Sequence, residues 1–258
     1  MVVLMSLRNI AYTMYGVYQR HQVLRANPKA VIEPFKKHRA FVYAGLRMAD
    51  MFGHINNARY LEIFELARWH HAGYAGLATT LREANASFVV ASANVQYVRE
   101  MPPCRRYLVT VQLLQFEGTD ATAAGGGAAR SPATSGGDAP PRDGRMVIMQ
   151  EIWSADEKTL YAGVLLRAAL VGDARSPLAL PSSGKQRSRY APLSCSGVFA
   201  TATGPAAARA AAEENTQDFY TRLGFTRCQE GTKGESWIDI TRDVEKEWRS
   251  KLRSVKFP

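Results

Sequence analysis

The feature that most constrains the fold is a stretch at 50–61 that joins a strand pattern to a helix pattern. It begins with a carboxylate, turns at Gly53 and reaches two asparagines whose side chains can cap a helix. Four apolar residues then recur at helical spacing and form one face: Tyr60, Ile63, Phe64 and Ala67. The stretch therefore predicts a strand, a tight turn and a long helix running to about Ala72. Asp50 is expected beside the helix N-terminus, where free backbone N–H groups can polarise a bound carbonyl.

Strand patterns surround this predicted helix. One precedes it at 41–48, and four follow it at 87–98, 107–116, 146–154 and 159–171. A strand, a long helix and four consecutive strands predict an α+β domain in which the helix packs on an antiparallel sheet.

Charge divides the chain into three parts. Residues 1–39 carry seven Lys or Arg and one acidic residue, residues 40–172 carry twelve of each, and residues 173–258 carry fourteen and ten. The predicted domain at 40–172 is thus neutral, between a basic N-terminal extension and a C-terminal extension made of a low-complexity linker and helical patterns. A neutral domain without a recognised nucleic-acid motif argues against nucleic acid as a partner.

Residues 118–145 interrupt the sheet pattern with Gly, Ala, Ser and Pro. They offer too little apolar surface to offset their ordering entropy, so they predict a disordered insertion between two strands. The three cysteines, Cys104, Cys195 and Cys228, lie far apart and predict neither a disulfide framework nor a zinc site. We expect no metal, no other cofactor and a reducing compartment.

The N-terminal extension combines a helical pattern with basic residues. Leu7, Ile10, Met14 and Val17 could form an apolar helix face, and no acidic residue precedes Glu33. Three roles fit this pattern: a mitochondrial targeting segment, a helix on a membrane surface, or an ordinary helix packed on the domain. No apolar run reaches the length of a membrane span. The expected location is mitochondrial or cytoplasmic, with membrane association through this helix as an option.

The run at 50–61 resembles the D-x-x-G-H-[VI]-N-N-x-x-Y-L signature of hotdog-fold acyl-CoA thioesterases of the 4-hydroxybenzoyl-CoA thioesterase type. Within that superfamily it is most similar to the THEM6-like branch. The resemblance covers residues 40–172. It implies a hotdog fold, hydrolysis of an acyl-CoA thioester to a free acid and CoA, and a homodimer or higher homo-oligomer whose sites form between two subunits.

The resemblance also implies roles for individual residues. In that family the carboxylate three residues before the turn glycine is the nucleophile or general base, which here is Asp50. His54 and Asn57 are further catalytic candidates, because they could orient water or contact the carbonyl or Asp50. One of the two asparagines is expected to cap the helix. The substrate-binding candidates are Gly53, Asn56, Tyr60, Ser87 and Arg99.

Two alternatives remain open. Glu62 and Glu65 place carboxylates on the helix, where another hotdog subclass has its catalytic acid. Glu65, however, stands at ion-pair spacing from Arg68, which predicts a structural pair. Met48 occupies the position where the common D-x-D-x-x-G pattern has its first Asp, so Asp50 lacks a second carboxylate. The alternative function is therefore a non-catalytic hotdog protein that binds acyl groups or acts as a scaffold at a membrane.

Overall fold

The computed structural model describes residues 2–28, 30, 32, 36–117, 144–180, 189–203, 242–248 and 250. The helices are α1 (Val2–Ala26), α2 (Asn57–Ala75), α3 (Leu77–Glu83) and α4 (Cys195–Thr203), with a 3₁₀ helix at Leu46–Met48. The strands are β1 (His38–Ala44), β2 (Ser87–Tyr97), β3 (Arg105–Glu117), β4 (Arg145–Ser154), β5 (Leu160–Asp173) and β6 (Tyr190–Pro192). Residues 242–248 are also helical.

The strands form one sheet with the order β1-β3-β4-β5-β2, and β6 adds to β5. All neighbouring strands run antiparallel. Helix α2 packs against β1, β3 and β4. One long helix held by an antiparallel sheet in this order is the hotdog arrangement, so the α+β fold predicted from the sequence is confirmed. The first strand is shorter than predicted, because the chain leaves the sheet after Ala44 and forms the 3₁₀ helix before Asp50.

Helix α2 begins and ends as its sequence predicts. The Asn56 side chain accepts a hydrogen bond from the Ala58 N–H and caps the first turn. Gly76 ends the helix at φ 83°, in the left-handed region that glycine adopts without strain. The predicted apolar face is fully buried: Tyr60, Ile63, Phe64 and Ala67.

Helix α1 packs directly on α2. A Cβ atom at Gly16 would lie 2.2 Å from the carbonyl oxygen of His70, and one at Gly73 would lie 2.1 Å from that of Thr13. The two backbones can approach this closely only because both positions lack a side chain. Arg8 adds a contact with Glu62, and Arg20 donates to the carbonyl oxygens of Tyr74 and Ala202. The N-terminal extension is therefore joined to the central helix.

The helical residues 242–248 cover the opposite face of the sheet. Trp248 is buried with Val147, Leu160 and Leu165, in a cluster separate from the main core under α2. Its ring lies where a side chain at residue 163 would otherwise be, 2.4 Å from the position of a Gly163 Cβ. The Trp248 indole N–H donates to Glu151 at 3.1 Å. Part of the C-terminal extension thus completes the second face of the domain.

Most of the predicted insertion at 118–145 lies outside the described residues, and so does most of the C-terminal extension at 173–258. The described part of the predicted low-complexity linker contains β6 and α4. Arg145, predicted to be the last residue of the insertion, is instead the first residue of β4. Among the described helices, none combines the length and apolar character that a bilayer crossing requires.

Candidate active site

Asp50 lies in a tight loop between the 3₁₀ helix and α2. Its N–H donates to the His54 carbonyl at 2.8 Å, and the Gly53 N–H donates to the Asp50 carbonyl at 3.2 Å. Gly53 has a φ of 81°, which explains why glycine occupies the turn. Asp50 Oδ1 accepts from the N–H groups of Phe52 at 2.9 Å and His54 at 3.3 Å. Among the described residues, no group donates to Oδ2, so half of the carboxylate is uncommitted.

The loop is fixed at both ends. Ala49 and Ile55 form an antiparallel bridge, and the Asn56 N–H donates to the Met48 carbonyl at 2.9 Å. Met48, which stands where the resembled pattern has its first Asp, is fully buried. A second carboxylate at this position would be desolvated in the core. The loop therefore presents Asp50 alone.

His54 lies beside Asp50 in the chain, but its imidazole points elsewhere. Nε2 lies 3.0 Å from Glu100 Oε2, with both side chains substantially exposed. The contact between His54 and Asp50 is made by backbone atoms and by the Asp50 carboxylate, not by the ring. In this arrangement the imidazole of His54 makes no hydrogen bond with the Asp50 carboxylate.

The two asparagines have different roles. Asn56 caps α2, as predicted for one of the pair. Asn57 is the first helical residue, and its carbonyl accepts from the Tyr97 hydroxyl at 3.3 Å. The N–H groups of Asn56, Ala58 and Arg59 are all bonded, to Met48, to the Asn56 side chain and to the Asn56 carbonyl. Among the described residues the Asn57 N–H has no acceptor, so it is the first-turn donor open to a ligand.

Tyr60 and Arg99 meet through the loop after β2. The buried Tyr60 hydroxyl donates to the Arg99 carbonyl at 3.1 Å and accepts from the Met101 N–H at 3.0 Å. Burial raises the pKa of Tyr60 to about 12, so its hydroxyl stays protonated. These contacts hold the loop against α2. The binding roles predicted for Tyr60 and Arg99 remain predictions.

A cavity of about 640 Å³ lies under the second half of α2. Its lining comes from α2, α3, α4 and the inner face of the sheet, and Phe88, Leu113, Met146 and Phe199 are among its apolar side chains. Of the predicted site residues, Ser87 alone lines it. The predicted catalytic cluster therefore sits at the N-terminal end of α2, and the cavity lies about 17 Å further along the helix, judged by the rise from Asn57 to Arg68.

The predicted ion pair between Glu65 and Arg68 is not formed. Arg68 donates to Gln150 Oε1 at 2.7 Å, and Gln150 donates to the Phe64 carbonyl at 2.9 Å. Glu65 instead accepts from Asn9 at 3.0 Å and from the Trp69 indole at 3.2 Å. Arg68 turns toward the sheet because β4 offers it a buried amide oxygen. Burial lowers the pKa of Arg68 to about 10, and the nearby negative charge of Glu65 opposes that shift.

Glu62 is the centre of a charge cluster that the sequence does not reveal. The buried carboxylate contacts the guanidinium groups of Arg8, Arg47 and Arg59. Arg59 stands three residues before Glu62, which is a recognisable helical spacing. Arg8 comes from α1 and Arg47 from the 3₁₀ helix, and no sequence signal connects them to Glu62. The cluster ties α1, α2 and the segment before Asp50 together.

A family model described as "Thioesterase-like superfamily" matches residues 45–175, half of the chain. The long-chain acyl-CoA thioesterase FadM of Escherichia coli is 36% identical over 69 residues. That match covers 27% of this chain and 52% of FadM, so the chain spans about half the length of this curated relative.

Two solved structures resemble part of the chain. The probable thioesterase YbaW from Escherichia coli has 23% identity and a TM-score of 0.38, covering 52% of this chain and 82% of that one. A probable thioesterase from Bartonella henselae has 18% identity and a TM-score of 0.40, covering 57% and 99%.

Proposed function

This chain belongs to the thioesterase-like superfamily, and we propose that it hydrolyses an acyl-CoA thioester to a free acid and CoA. The observation that carries the proposal is the Asp50 carboxylate, which the loop holds beside the first turn of α2 with Oδ2 uncommitted. A base or nucleophile next to an open backbone donor is the minimum equipment for acyl transfer to water. We propose a long acyl chain, because the relative FadM is a long-chain acyl-CoA thioesterase.

In the proposed reaction the thioester carbonyl lies between Asp50 and the start of α2. Its oxygen accepts from the Asn57 N–H, and the helix dipole stabilises the negative charge that develops there. Asp50 Oδ2 either removes a proton from water, whose oxygen then attacks the carbonyl carbon, or attacks that carbon itself. In both routes the carbon–sulfur bond breaks and CoA leaves as the thiolate, which takes up a proton. In the second route, water then hydrolyses the mixed anhydride and restores Asp50.

The proposed working unit is a homodimer formed along β2. This strand pairs with β5 on one side, and Val89 and Val90 are exposed. Its Tyr97 end touches the start of α2, whereas its Ser87 end lines the cavity. If two copies pair antiparallel along β2, the cavity of one subunit lies beside Asp50 of the other. This pairing would bring together the two parts of the site that one chain keeps apart.

Sedimentation at micromolar concentration tests the dimer. We expect a dimeric or larger mass for the wild type and a monomeric mass for Val90→Lys, because a charge disfavours pairing along an edge. Phe41→Lys, on the opposite edge strand β1, is the matched control and should leave the mass unchanged. A monomeric wild type would contradict the proposal.

Asp50→Asn tests the catalytic assignment. Asparagine keeps an oxygen that can accept from the N–H groups of Phe52 and His54, so the loop should remain folded. We expect kcat to fall on the order of 10²-fold or more. Asp156→Asn is a matched control, since Asp156 also accepts local hydrogen bonds in a turn, between β4 and β5. Turnover near the wild-type level in Asp50→Asn would refute the assignment.

The alternative function, an acyl-binding or scaffold protein without hydrolysis, makes a different prediction. It requires that wild type and Asp50→Asn bind acyl-CoA equally and that neither releases CoA. Placement in the THEM6-like branch and a role in lipid metabolism accompany the proposal and rest on the sequence resemblance. A mitochondrial or cytoplasmic location likewise remains a proposal, which localisation of the tagged full chain would test.

We also propose that α1 contacts a membrane surface. Leu7, Ile10, Met14 and Tyr18 share one face and are each more than half exposed. The helix docks on α2 through its opposite face, which holds Gly16, and so leaves its apolar side outward. The wild type should co-sediment with vesicles that contain anionic lipids, whereas a variant with Leu7→Ser, Ile10→Ser and Met14→Ser should stay in the supernatant. Equal sedimentation of the two proteins would contradict the contact.

A further inference from the structure

Arg68 is a cation inside a mainly apolar cavity. Its side chain is partly buried, lines the cavity and lies with its guanidinium carbon 5.9 Å from the centre of the Phe88 ring. A guanidinium carries five N–H donors. Among the described residues, the Gln150 amide oxygen is the one acceptor that Arg68 reaches. Most of its donor capacity is therefore unused by the described residues.

The unused donors face the cavity. Among the described residues, no fully buried side-chain nitrogen or oxygen lacks a hydrogen-bond partner. The Arg68 nitrogens without a partner therefore remain accessible, and Arg68 lines the cavity, so a ligand in the cavity can reach them. Gln150 cannot turn away to make room for another arrangement, because it is fully buried and bonded to the Phe64 carbonyl. The guanidinium is thus held in place with donors directed at whatever occupies the cavity.

The other charged groups of the lining do not satisfy these donors. Glu65 lies within electrostatic reach of Arg68, but its Oε1 accepts from Asn9 and Trp69 and neither of its oxygens accepts a hydrogen bond from Arg68. Arg82, from α3, adds a second positive charge to the lining. An unbranched hydrocarbon tail in this cavity would leave the Arg68 donors facing apolar atoms, which is costly for a desolvated charged group.

We propose that this cavity selects acyl groups that carry an oxygen acceptor, a hydroxyl or a carboxylate, on the part of the chain far from the thioester, and that Arg68 binds this oxygen. The inference rests on the proposed function, because it takes the cavity to be the acyl site. It makes Arg68 a specificity-determining residue and gives it no part in bond breaking. Guanidinium donors suit either oxygen, since a hydroxyl and a carboxylate both accept.

The test compares three substrates of equal chain length: dodecanoyl-CoA, 12-hydroxydodecanoyl-CoA and the mono-CoA thioester of dodecanedioic acid. For the wild type we expect kcat/KM for at least one oxygenated substrate to exceed that for dodecanoyl-CoA by about ten-fold or more. Arg68→Met should bring this ratio to about one. Arg82→Met is the matched control and should keep the preference. The oxygenated substrate with the higher kcat/KM identifies either the hydroxyl or the carboxylate as the group that Arg68 binds.

Binding of thioether analogues separates this inference from the proposed function. S-dodecyl-CoA and S-(12-hydroxydodecyl)-CoA cannot be hydrolysed, and calorimetry on the wild type measures their affinities without any reaction. A preference for the hydroxylated analogue supports the inference even if no thioester is cleaved. Equal affinities and equal kcat/KM values in the wild type would overturn it, and so would a preference that survives in Arg68→Met. If Arg68→Met does not fold, the wild-type comparison alone decides.

Discussion

The two ends of α2 differ in how they surround ionisable side chains. At the N-terminal end, the charged groups have several partners: Asp50 accepts from two backbone N–H groups and keeps one open oxygen, and the buried Glu62 contacts three arginines. In the C-terminal half, ionisable groups are enclosed with few partners. Arg68 has one acceptor in a cavity, and His38 and His70 share one hydrogen bond in the interior. The first end surrounds its carboxylates with N–H donors and arginines, and the second encloses titratable groups with few partners.

Under the proposed function, this difference separates reactivity from selectivity. A carboxylate that must attack or deprotonate needs access, and the open Oδ2 of Asp50 offers it. A group that selects among acyl chains works best where water is scarce, because a lost hydrogen bond then costs more. The same helix supplies both environments, one at its start and one under its second half. Substitutions at the two ends should therefore have different consequences.

The largest change is expected at Glu62. Glu62→Gln leaves Arg8, Arg47 and Arg59 close together without a counter-charge, so the free energy of unfolding should fall by about 4 kcal/mol. Glu65→Gln is the matched change one turn later. It keeps acceptors for Asn9 and Trp69, and the loss there should be about 1 kcal/mol or less. Urea unfolding measures both, and equal losses would mean that the cluster does not distinguish the first end of α2.

The second prediction concerns pH and the buried imidazoles. Burial lowers the pKa of His38 to about 2 and that of His70 to about 4, while the unfolded chain keeps ordinary values near 6.5. Below pH 6.5 the two imidazoles therefore bind protons in the unfolded state but not in the folded state. The free energy of unfolding should therefore be highest above pH 6.5 and fall by about 3 kcal/mol between pH 7 and pH 5.

His38→Gln, measured over the same pH range, isolates this contribution from that of the carboxylates. Glutamine can still form one hydrogen bond with His70 but cannot take up a proton, so the pH dependence should become shallower. His21→Gln, at an exposed position on α1, should leave it unchanged. Identical pH dependence in all three proteins would show that the imidazoles are not the groups that respond.

The third prediction tests how closely α1 is attached to the second half of α2. Gly16→Ala places a methyl group 2.2 Å from the His70 carbonyl oxygen, so the helices must separate. We expect a net loss of about 2 kcal/mol, although alanine favours the helix by about 1 kcal/mol. Gly45→Ala is the control, since its Cβ would meet only the Tyr43 ring at 3.4 Å. If both variants unfold like the wild type, the close contact of α1 and α2 does not hold in solution.

The two ends also differ in how far the sequence predicts them. The loop from Asp50 to the cap at Asn56 is local, so turn and cap chemistry identify it within a few residues. Sheet strands and the buried face of α2 follow equally from periodicity. The cavity does not, because its walls come from positions as distant as Arg68, Phe88 and Phe199. Helical spacing pairs Glu65 with Arg68, but a buried amide on β4 competes for the arginine, and tertiary contacts decide.

The contacts of α1 could not be predicted from the sequence either. Its apolar pattern suggests a face that would bury itself, yet Leu7, Ile10 and Met14 are exposed. Docking instead uses Gly16, whose lack of a side chain permits close approach, and polar contacts from Arg8 and Asn9. Glycine within a helix normally lowers the stability of that helix. Its contribution to docking can be recognised only when the partner helix is known.

The smallest effect is expected for deletion of residues 119–143, which lie outside the described residues. Strands β3 and β4 pair directly up to Glu117 and Arg145. The deletion joins Gly118 to Gly144, so two glycines would link these paired residues, and a two-residue Gly-Gly turn suits an antiparallel hairpin. Shortening the connection also lowers its closure entropy slightly. The melting temperature should change by about 2 °C or less, and KM for long-chain acyl-CoA should stay at its wild-type value.

Deletion of residues 118–144 is the matched test, because it removes both glycines and leaves Glu117 bonded directly to Arg145, which no hairpin turn can accommodate. A drop of many degrees in the first variant, or a large rise in KM, would show that the insertion supports the fold or covers the acyl site.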